Sequence, residues 1–258
     1  MRIVVLVKEV PDTYGDRKLD LETGLAERTA SEPVMDEIGE RALEAAISHA
    51  DANPGTEVVV LTVGPETAQK ALHKGLSMGA MAAVHVLDAG LQGADVTLTA
   101  EVLAAAVRRT GFDLVIAGNT STDGSGGVVP AMLAELLDVP HATGLTRIGI
   151  TADAVNGTRA VDGGTFEVST SLPAVASITE ALPDGRLPNF KGIMAAKKKP
   201  LETMTLADLG IDAEDMSVGR SIMLTIYEKR AREAGKKIID EGNAGEQLAK
   251  FLVDNKLA

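Results

Sequence analysis

Asp113-Leu-Val-Ile-Ala-Gly-Asn-Thr-Ser-Thr-Asp-Gly-Ser-Gly-Gly-Val-Val-Pro130 reads as a buried strand that runs into a glycine-rich loop and then opens a helix. Leu114, Val115, Ile116 and Ala117 form a continuous apolar run, the pattern of a parallel strand covered on both faces. Pro130 suits the first turn of a helix, where its missing N–H costs nothing. Between them, Gly124, Gly126 and Gly127 allow positive φ and let the backbone approach a ligand closely. Free N–H groups and the positive end of the following helix make an anion cradle. Thr120, Ser121, Thr122 and Ser125 add hydroxyl donors. The pattern predicts a nucleotide phosphate site at the carboxyl end of a strand. Turn geometry alone explains such a loop equally well. Neither G-x-G-x-x-G nor G-x-x-x-x-G-K-[ST] is present, and the loop carries no lysine for a terminal phosphate. Asp123 would repel a phosphate and is expected to cap the helix or bind a ribose hydroxyl.

Upstream, strands alternate with helices. Residues 3–7 and 58–63 read as buried strands and 84–87 as a third. Asp36 is a good N-cap, with Glu37 and Glu40 in the first turn of a helix reaching about Ala50. Asn53-Pro-Gly breaks it. Gly64-Pro65 turns the second strand into a helix ending near Met78-Gly79. Residues 96–109 form another helix, with Val102 and Ala106 on one face. Residues 19–26 suggest a small hairpin turning at Gly24. This alternation implies a doubly wound α/β domain with a mostly parallel sheet.

The pattern changes after Pro140. Residues 147–151, 159–161, 166–169 and 175–178 are short strand candidates. Asn156-Gly157 and Asp162-Gly163-Gly164 supply turns, as in antiparallel hairpins. These strands extend the sheet or cover its edge. From Leu201 the chain looks less compact, so the expected division is an α/β domain over 1–200 and a C-terminal arm over 201–258. The arm ends in a helix with Leu248, Phe251 and Leu252 on one face. It either folds back on its own domain or docks on a partner.

Composition narrows the function. A chain of 258 residues, 45% hydrophobic, buries a sizeable core. Aromatic residues make up 2%, Trp is absent and the net charge is −12, which together argue against nucleic acid. No apolar run approaches a membrane span. The apolar start Met1-Arg-Ile-Val-Val-Leu-Val7 is too short for a signal segment and reads as the first strand. Absence of Cys excludes disulfides, thiolate chemistry and cysteine-held metal, and fits a cytoplasmic protein.

Little in the chain suggests acid–base chemistry. His49, His73, His85 and His141 show no ligand spacing. His85 reads as a packed strand residue, and His49 and His73 as solvated helix positions. No His-Glu-x-x-His, Gly-x-Ser-x-Gly or carboxylate pair stands out. A protein that positions cofactors for electron transfer needs none. Two basic clusters interrupt the acidic chain: Lys197-Lys198-Lys199, and the run through Lys229, Arg230, Arg232, Lys236 and Lys237. They form solvated faces or surfaces for acidic partners. Phe190, ahead of the first cluster, is an exposed anchor or part of the core.

Several segments in order resemble the β subunit of electron-transfer flavoprotein. These are Val7-Lys-Glu-Val-Pro-Asp12, Asp36-Glu-Ile38, Val63-Gly-Pro65, Leu76-Ser-Met-Gly-Ala80 with Val84-His-Val86, the Asp123 loop, Asp162-Gly-Gly164 leading to Leu172-Pro-Ala-Val175, and Gly192-Ile-Met-Ala-Ala-Lys-Lys-Lys199. They span nearly the whole chain. The resemblance implies an adenine-nucleotide-binding type of α/β fold with added antiparallel strands. It implies pairing with an α subunit that holds most of an FAD, while the β chain holds a structural AMP. Such a heterodimer is a carrier and not an enzyme. It takes electrons from acyl-CoA or other dehydrogenases and passes them to a quinone reductase or another acceptor.

By the same resemblance, AMP meets Leu6, Pro33, Val34, Met35, Asp36 and Val63. It also meets the loop residues Gly118, Asn119, Thr120, Ser121, Thr122, Asp123, Gly124, Ser125, Gly126, Gly127, Val128 and Val129. Thr13 or Tyr14, and Met35, fall near the flavin ring. The loop 187–199 resembles the recognition loop for partner dehydrogenases, with Phe190 as apolar anchor and Lys191, Ile193, Met194, Lys197, Lys198 and Lys199 around it. The chain departs from the family pattern in three places. Gly127-Val-Val-Pro130 stands where many members have Asn-Gln-Thr-Gly, Phe166 replaces Glu or Gln, and Met81 replaces an acidic residue. The first departure leaves open a second FAD in place of AMP, as in bifurcating relatives. A stand-alone ATP-binding or ATP-sensing α/β protein is the reading from another class.

Overall fold

The computed structural model describes every residue except Asp16, Ala30, Met216, Lys236 and Ala258, so Lys236 of the second basic cluster lies outside the described residues. The chain divides into two compact units, Met1–Leu224 and Thr225–Ala258.

The first unit opens with β1 (Arg2–Leu6), in which Ile3, Val4 and Val5 are fully buried. Two short strands, β2 (Glu9–Pro11) and β3 (Pro33–Met35), pair antiparallel with each other. Between them, Leu19 and Ala26 form the antiparallel bridge of the expected hairpin, and Gly24 turns it with φ +73. Helix α1 (Glu37–Ala52) buries Ala42, Leu43, Ala46 and Ile47, one stripe of an amphipathic helix. Next come β4 (Glu57–Val63), α2 (Gln69–Met78) and β5 (Ala82–Val86). Helix α3 (Val96–Thr110) is capped by Asp95, whose carboxylate accepts the Leu98 N–H at 2.8 Å. Strand β6 (Leu114–Gly118) then leads to α4 (Val129–Leu137), with Pro130 in its first turn.

Four strands follow: β7 (His141–Ile150), β8 (Ala154–Val161), β9 (Gly164–Ser171) and β10 (Ala174–Ile178). Helix α5 (Phe190–Ala196), β11 (Leu201–Met204) and α6 (Leu206–Leu209) complete the regular elements of this unit. The nine-stranded sheet has the order β11-β5-β4-β1-β6-β10-β7-β8-β9. All pairings from β11 to β7 are parallel, and β7-β8-β9 is an antiparallel extension. Alternate strand residues serve two cores. Ile3, Val5, Val60 and Ile116 pack with Leu43, Leu72 and Leu76 of α1 and α2. Val4, Leu61 and Val115 pack with Leu98, Val102 and Leu133 of α3 and α4.

Three sequence expectations change. Asn156-Gly157 is not a turn, because both residues lie inside β8, opposite Ser169 and Val168 of β9. Gly157 serves close approach: a Cβ there would sit 2.1 Å from the Arg147 carbonyl oxygen of β7. The turn falls instead at residues 151–153, where the Thr151 hydroxyl donates to Asp153 at 3.0 Å. Strand β10 is no part of an antiparallel hairpin. All five of its residues are buried, and it lies parallel between β6 and β7. Finally, β11 pairs with β5 at the sheet edge, so the sheet reaches past residue 200.

The second unit contains α7 (Ala244–Asp254), none of whose residues is buried; Leu248 and Phe251 are exposed.

Ile116 is fully buried at the centre of the sheet. Ile116→Ala should therefore cost about 2–5 kcal/mol of stability. Urea unfolding of the two proteins measures the difference, and a loss below ~1 kcal/mol would contradict this packing.

Candidate functional site

Strand β1 sits between β4 on one side and β6 on the other. The chain leaves β1 toward β4 and later returns to β6, so the connections diverge at the carboxyl ends of β1 and β6. Open α/β sheets hold ligands at such a switch point. A cavity of about 420 Å³ opens there. Leu6 and Val7 of the β1 end, Val63 of β4, and Ala117 and Gly118 of β6 form its floor. The first turns of three helices reach it: Ile38 and Gly39 of α1, Val96 and Thr99 of α3, and Val129 and Pro130 of α4. Helix N-termini present unpaired N–H groups and positive potential. Gly118 admits the tight junction, since a Cβ there would lie 2.5 Å from the Ile38 side chain.

The loop after β6 takes its left-handed turns at Ser125 (φ +49) and Gly127 (φ +68). Gly124 and Gly126, expected to share this role, do not have positive φ. A Cβ at Gly126 would meet open space. Among the described residues, the N–H groups of Gly126, Gly127 and Val128 donate to no backbone carbonyl. They edge the cavity as free donors.

Two carboxylates hold this loop. Asp36 is 1% exposed, and its Oδ2 accepts the Thr122 N–H at 2.8 Å and the Thr122 hydroxyl at 3.3 Å. Asp36 occupies the N-cap position of α1, yet its side chain makes no capping hydrogen bond. Its Oδ1 is buried without a partner among the described residues. Burial raises its pKa, against the hydrogen bonds from Thr122. Asp123 does not cap α4, one of the two roles the sequence suggests for it; Val128 stands at that position. Asp123 pairs with Lys8 at 2.7 Å and Arg28 at 3.5 Å. Burial alone would raise the Asp123 pKa. The hydrogen bonds from Lys8 and Ser121, the Lys8 charge and the Gly124 N–H outweigh burial and bring it from 3.8 to about 2.

Residues 24–209 match the Electron transfer flavoprotein domain. The chain belongs to the electron transfer flavoprotein family. It is 45% identical to an electron transfer flavoprotein subunit beta of Mycobacterium tuberculosis (strain ATCC 25618 / H37Rv), over 99% of this chain and 98% of the relative. It is 35% identical to the subunit beta of Bacillus subtilis (strain 168), over 98% and 96% of the two chains. A third relative is the caffeyl-CoA reductase-Etf complex subunit CarD of Acetobacterium woodii, at 34% identity over 86% and 84%. The role of this family member lies in electron transfer.

The fold brings most of the expected nucleotide residues of this flavoprotein chain to one cavity. Leu6, Asp36, Val63, Gly118, Asn119, Thr120, Ser121, Gly124, Gly126, Gly127, Val128 and Val129 line it. Thr122, Asp123 and Ser125 belong to the same loop but do not line the cavity. Pro33, Val34 and Met35 line a separate cavity of about 200 Å³, with Glu9, Lys70 and Lys74. Thr13 and Tyr14 are exposed, Tyr14 almost wholly. Residues not anticipated include Lys8, Ile38, Val96, Thr99 and Leu103. The start of α3 at residue 96 was legible in the sequence. That its first turn walls this cavity depends on how α3 crosses the sheet.

The expected recognition loop of this family member is partly helical. Asn189 caps α5 by accepting the Gly192 N–H at 2.8 Å. Phe190 is 79% exposed, and Leu187, Lys191, Ile193, Met194, Lys197 and Lys198 are exposed around it. Lys199 is committed elsewhere. Its ammonium donates to the Leu76 and Ala80 carbonyls at the end of α2, at 2.8 and 2.7 Å, and burial lowers its pKa. A Cβ at Gly192 would lie 2.3 Å from the Ser77 carbonyl oxygen, so α5 sits tightly on α2.

Asp123 carries a pH signature. Its pKa is lower folded than unfolded, so the ionised pair adds stability that is present above about pH 4 and lost as pH falls through about 2. The stability gap between the native chain and Asp123→Asn should shrink across that window. Urea unfolding at stepped pH measures it, and a gap independent of pH would remove the ion pair from the account.

Proposed function

We propose that this chain is the β subunit of a heterodimeric electron-transfer flavoprotein, holding AMP in the switch-point cavity and helping an α subunit enclose FAD. It works as a carrier without its own acid–base set. The heterodimer takes electrons from acyl-CoA or other dehydrogenases and passes them to a quinone reductase or another acceptor. The observation that carries the nucleotide assignment is the set of free N–H groups at Gly126, Gly127 and Val128, ahead of α4 and beside an apolar cavity.

The residues present suit an adenosine monophosphate. The loop N–H groups and the Thr120 hydroxyl would hold the phosphate. Leu6, Val63, Leu103 and Val128 offer apolar surface for the base. The unpartnered Asp36 Oδ1 suits a hydroxyl donor such as a ribose oxygen. Lys8 is the one cation among the cavity-lining residues, and it is already paired with Asp123. A single phosphate can rest on helix dipoles and N–H groups, whereas a triphosphate would lack counter-charge. This favours AMP and disfavours the ATP-binding alternative. Bound FAD supplies the redox chemistry, and this chain's residues position it and exclude solvent. A second reading, FAD in place of AMP, uses the same cradle for its adenylate half. It is kept because Gly127-Val-Val-Pro130 offers a phosphate backbone groups and no side-chain donor.

The exposed Phe190 on its fixed helix supports a docking role toward dehydrogenases, with Lys197 and Lys198 supplying positive charge. Exposed Leu248 and Phe251 support docking of the C-terminal arm on the α subunit.

Nucleotides released by denaturing the co-purified heterodimer test the assignment. One FAD and one AMP are expected; two FAD without AMP would establish the second reading. Gly127→Glu, at φ +68 and on the cradle, should lose AMP while Ile116→Ala retains it. Unchanged AMP content in Gly127→Glu would sink the cradle. Phe190→Ala should keep the flavin and slow reduction by a dehydrogenase about tenfold. Stopped-flow flavin bleaching reads this rate, and an unaltered rate would remove Phe190 from the docking surface.

A further inference from the structure

Asp123 is drawn between two cations that come from outside its own loop. Lys8, just past β1, places its ammonium 2.7 Å from Asp123 Oδ1 and 3.3 Å from the Ser121 hydroxyl. Arg28, on the long connection between β2 and β3, reaches Asp123 Oδ2 at 3.5 Å. The Asp123 side chain is 10% exposed, while Lys8 and Arg28 stay near half exposed. Neither Arg28 nor Asp123 lines the cavity. On the other side of the loop, Asp36 grips Thr122. Segment 17–28 is a small hairpin held internally by backbone hydrogen bonds, with the Glu27 N–H donating to the Lys18 carbonyl at 3.0 Å and the Asp20 N–H to the Leu25 carbonyl at 2.8 Å, and Arg17 donates to the Pro11 carbonyl of β2 at 3.4 Å. It contains the Leu19–Ala26 bridge and a turn in which the Asp20 carboxylate accepts the Glu22 and Thr23 N–H groups. It also touches the rest of the unit through Gly24 against Met223 and Leu25 against Gly93.

We propose that Arg28 and Asp123 are positioning residues, and that the Arg28–Asp123–Lys8 bridge both shapes the cradle and ties segment 17–28 to it. Filling the cavity then orders that segment as well. This rests on the reading of the cavity as a nucleotide site. An exposed ion pair adds little alone, but Asp123 is largely buried and gathers both cations with the Ser121 and Gly124 donors. Linkage makes the effect reciprocal: a ligand that favours the loop's shape favours whatever the loop holds, and the reverse.

The test uses the full chain, freed of nucleotide, with AMP as the probe. Calorimetry gives affinity, and amide hydrogen exchange by mass spectrometry reads residues 17–28 and 119–128. AMP should slow exchange in both segments of the native chain. In Arg28→Ala the AMP Kd should rise roughly three- to tenfold, and AMP should protect the loop but no longer residues 17–28. Arg28→Lys should restore both. In an Asp123→Asn background, Arg28→Ala should cost nothing further, because its effect passes through Asp123. An equal cost in both backgrounds, or unchanged protection of residues 17–28, would overturn the bridge. If the native chain binds no AMP, the nucleotide reading fails by itself. Exchange without ligand then decides the bridge: faster exchange at 119–128 in Arg28→Ala supports it, and identical exchange overturns it.

Discussion

The parallel pairing of β1 with both β4 and β6 is the constraint on which the rest depends. Ile3, Val4 and Val5 face Val58, Val59 and Val60 on one side and Leu114, Val115 and Ile116 on the other. Burial of these strands on both faces requires helices above and below, and right-handed crossovers deliver them. The helices therefore begin near the strands' carboxyl ends. Three first turns point into one gap, and their peptide dipoles add there. The cavity follows from the winding of the chain, and its electrostatics follow from where α1, α3 and α4 start.

The glycine-rich loop has no regular structure of its own. One turn of its own, in which the Ser125 N–H donates to the Ser121 carbonyl at 3.0 Å, is held in place from outside by Asp36 gripping Thr122 and by Lys8 and Arg28 gripping Asp123. The two acids differ in consequence. Asp36 is enclosed with one oxygen unpartnered, so burial dominates and its pKa rises. Asp123 is also shielded but has cations and N–H donors around it, so its pKa falls to about 2. Similar carboxylates therefore serve one loop in different charge environments. The arrangement leaves the backbone N–H groups, with the Thr120 hydroxyl, as the loop's donors facing the cavity.

The surface carrying Phe190 obeys a similar logic. Arg186 joins Glu44 and Asp51 of α1 at 2.8 Å each, and Lys199 ties the chain to the end of α2. Between these anchors a short helix holds its apolar side chains toward solvent. An exposed aromatic on a fixed mount loses little freedom on docking, which is the physical advantage of preorganisation.

Periodicity and local chemistry made much of this legible in the sequence. The apolar runs at 3–7, 58–63 and 114–117, the Asp36 helix start, the helix over 96–109, and Pro130 after the glycines all follow from burial patterns and backbone preferences that act within a few residues. The strand–loop–helix at 113–130 was thereby recognisable as a place for an anion. Signals with two physical causes were misleading. Asn156-Gly157 resembles a turn, but its glycine answers the close approach of Arg147 from a neighbouring strand. Residues 175–178 look like one more short strand, and only the sheet shows them parallel between β6 and β7. The cations that neutralise Asp123 come from outside its own segment: Lys8 lies 115 residues away and Arg28 lies 95. The sequence by itself determined which segments are strands, helices and cradle, since those depend on neighbours along the chain. Tertiary structure decided which side chains meet at the cavity and which charges are neutralised there, since those depend on distances that close only when the sheet assembles.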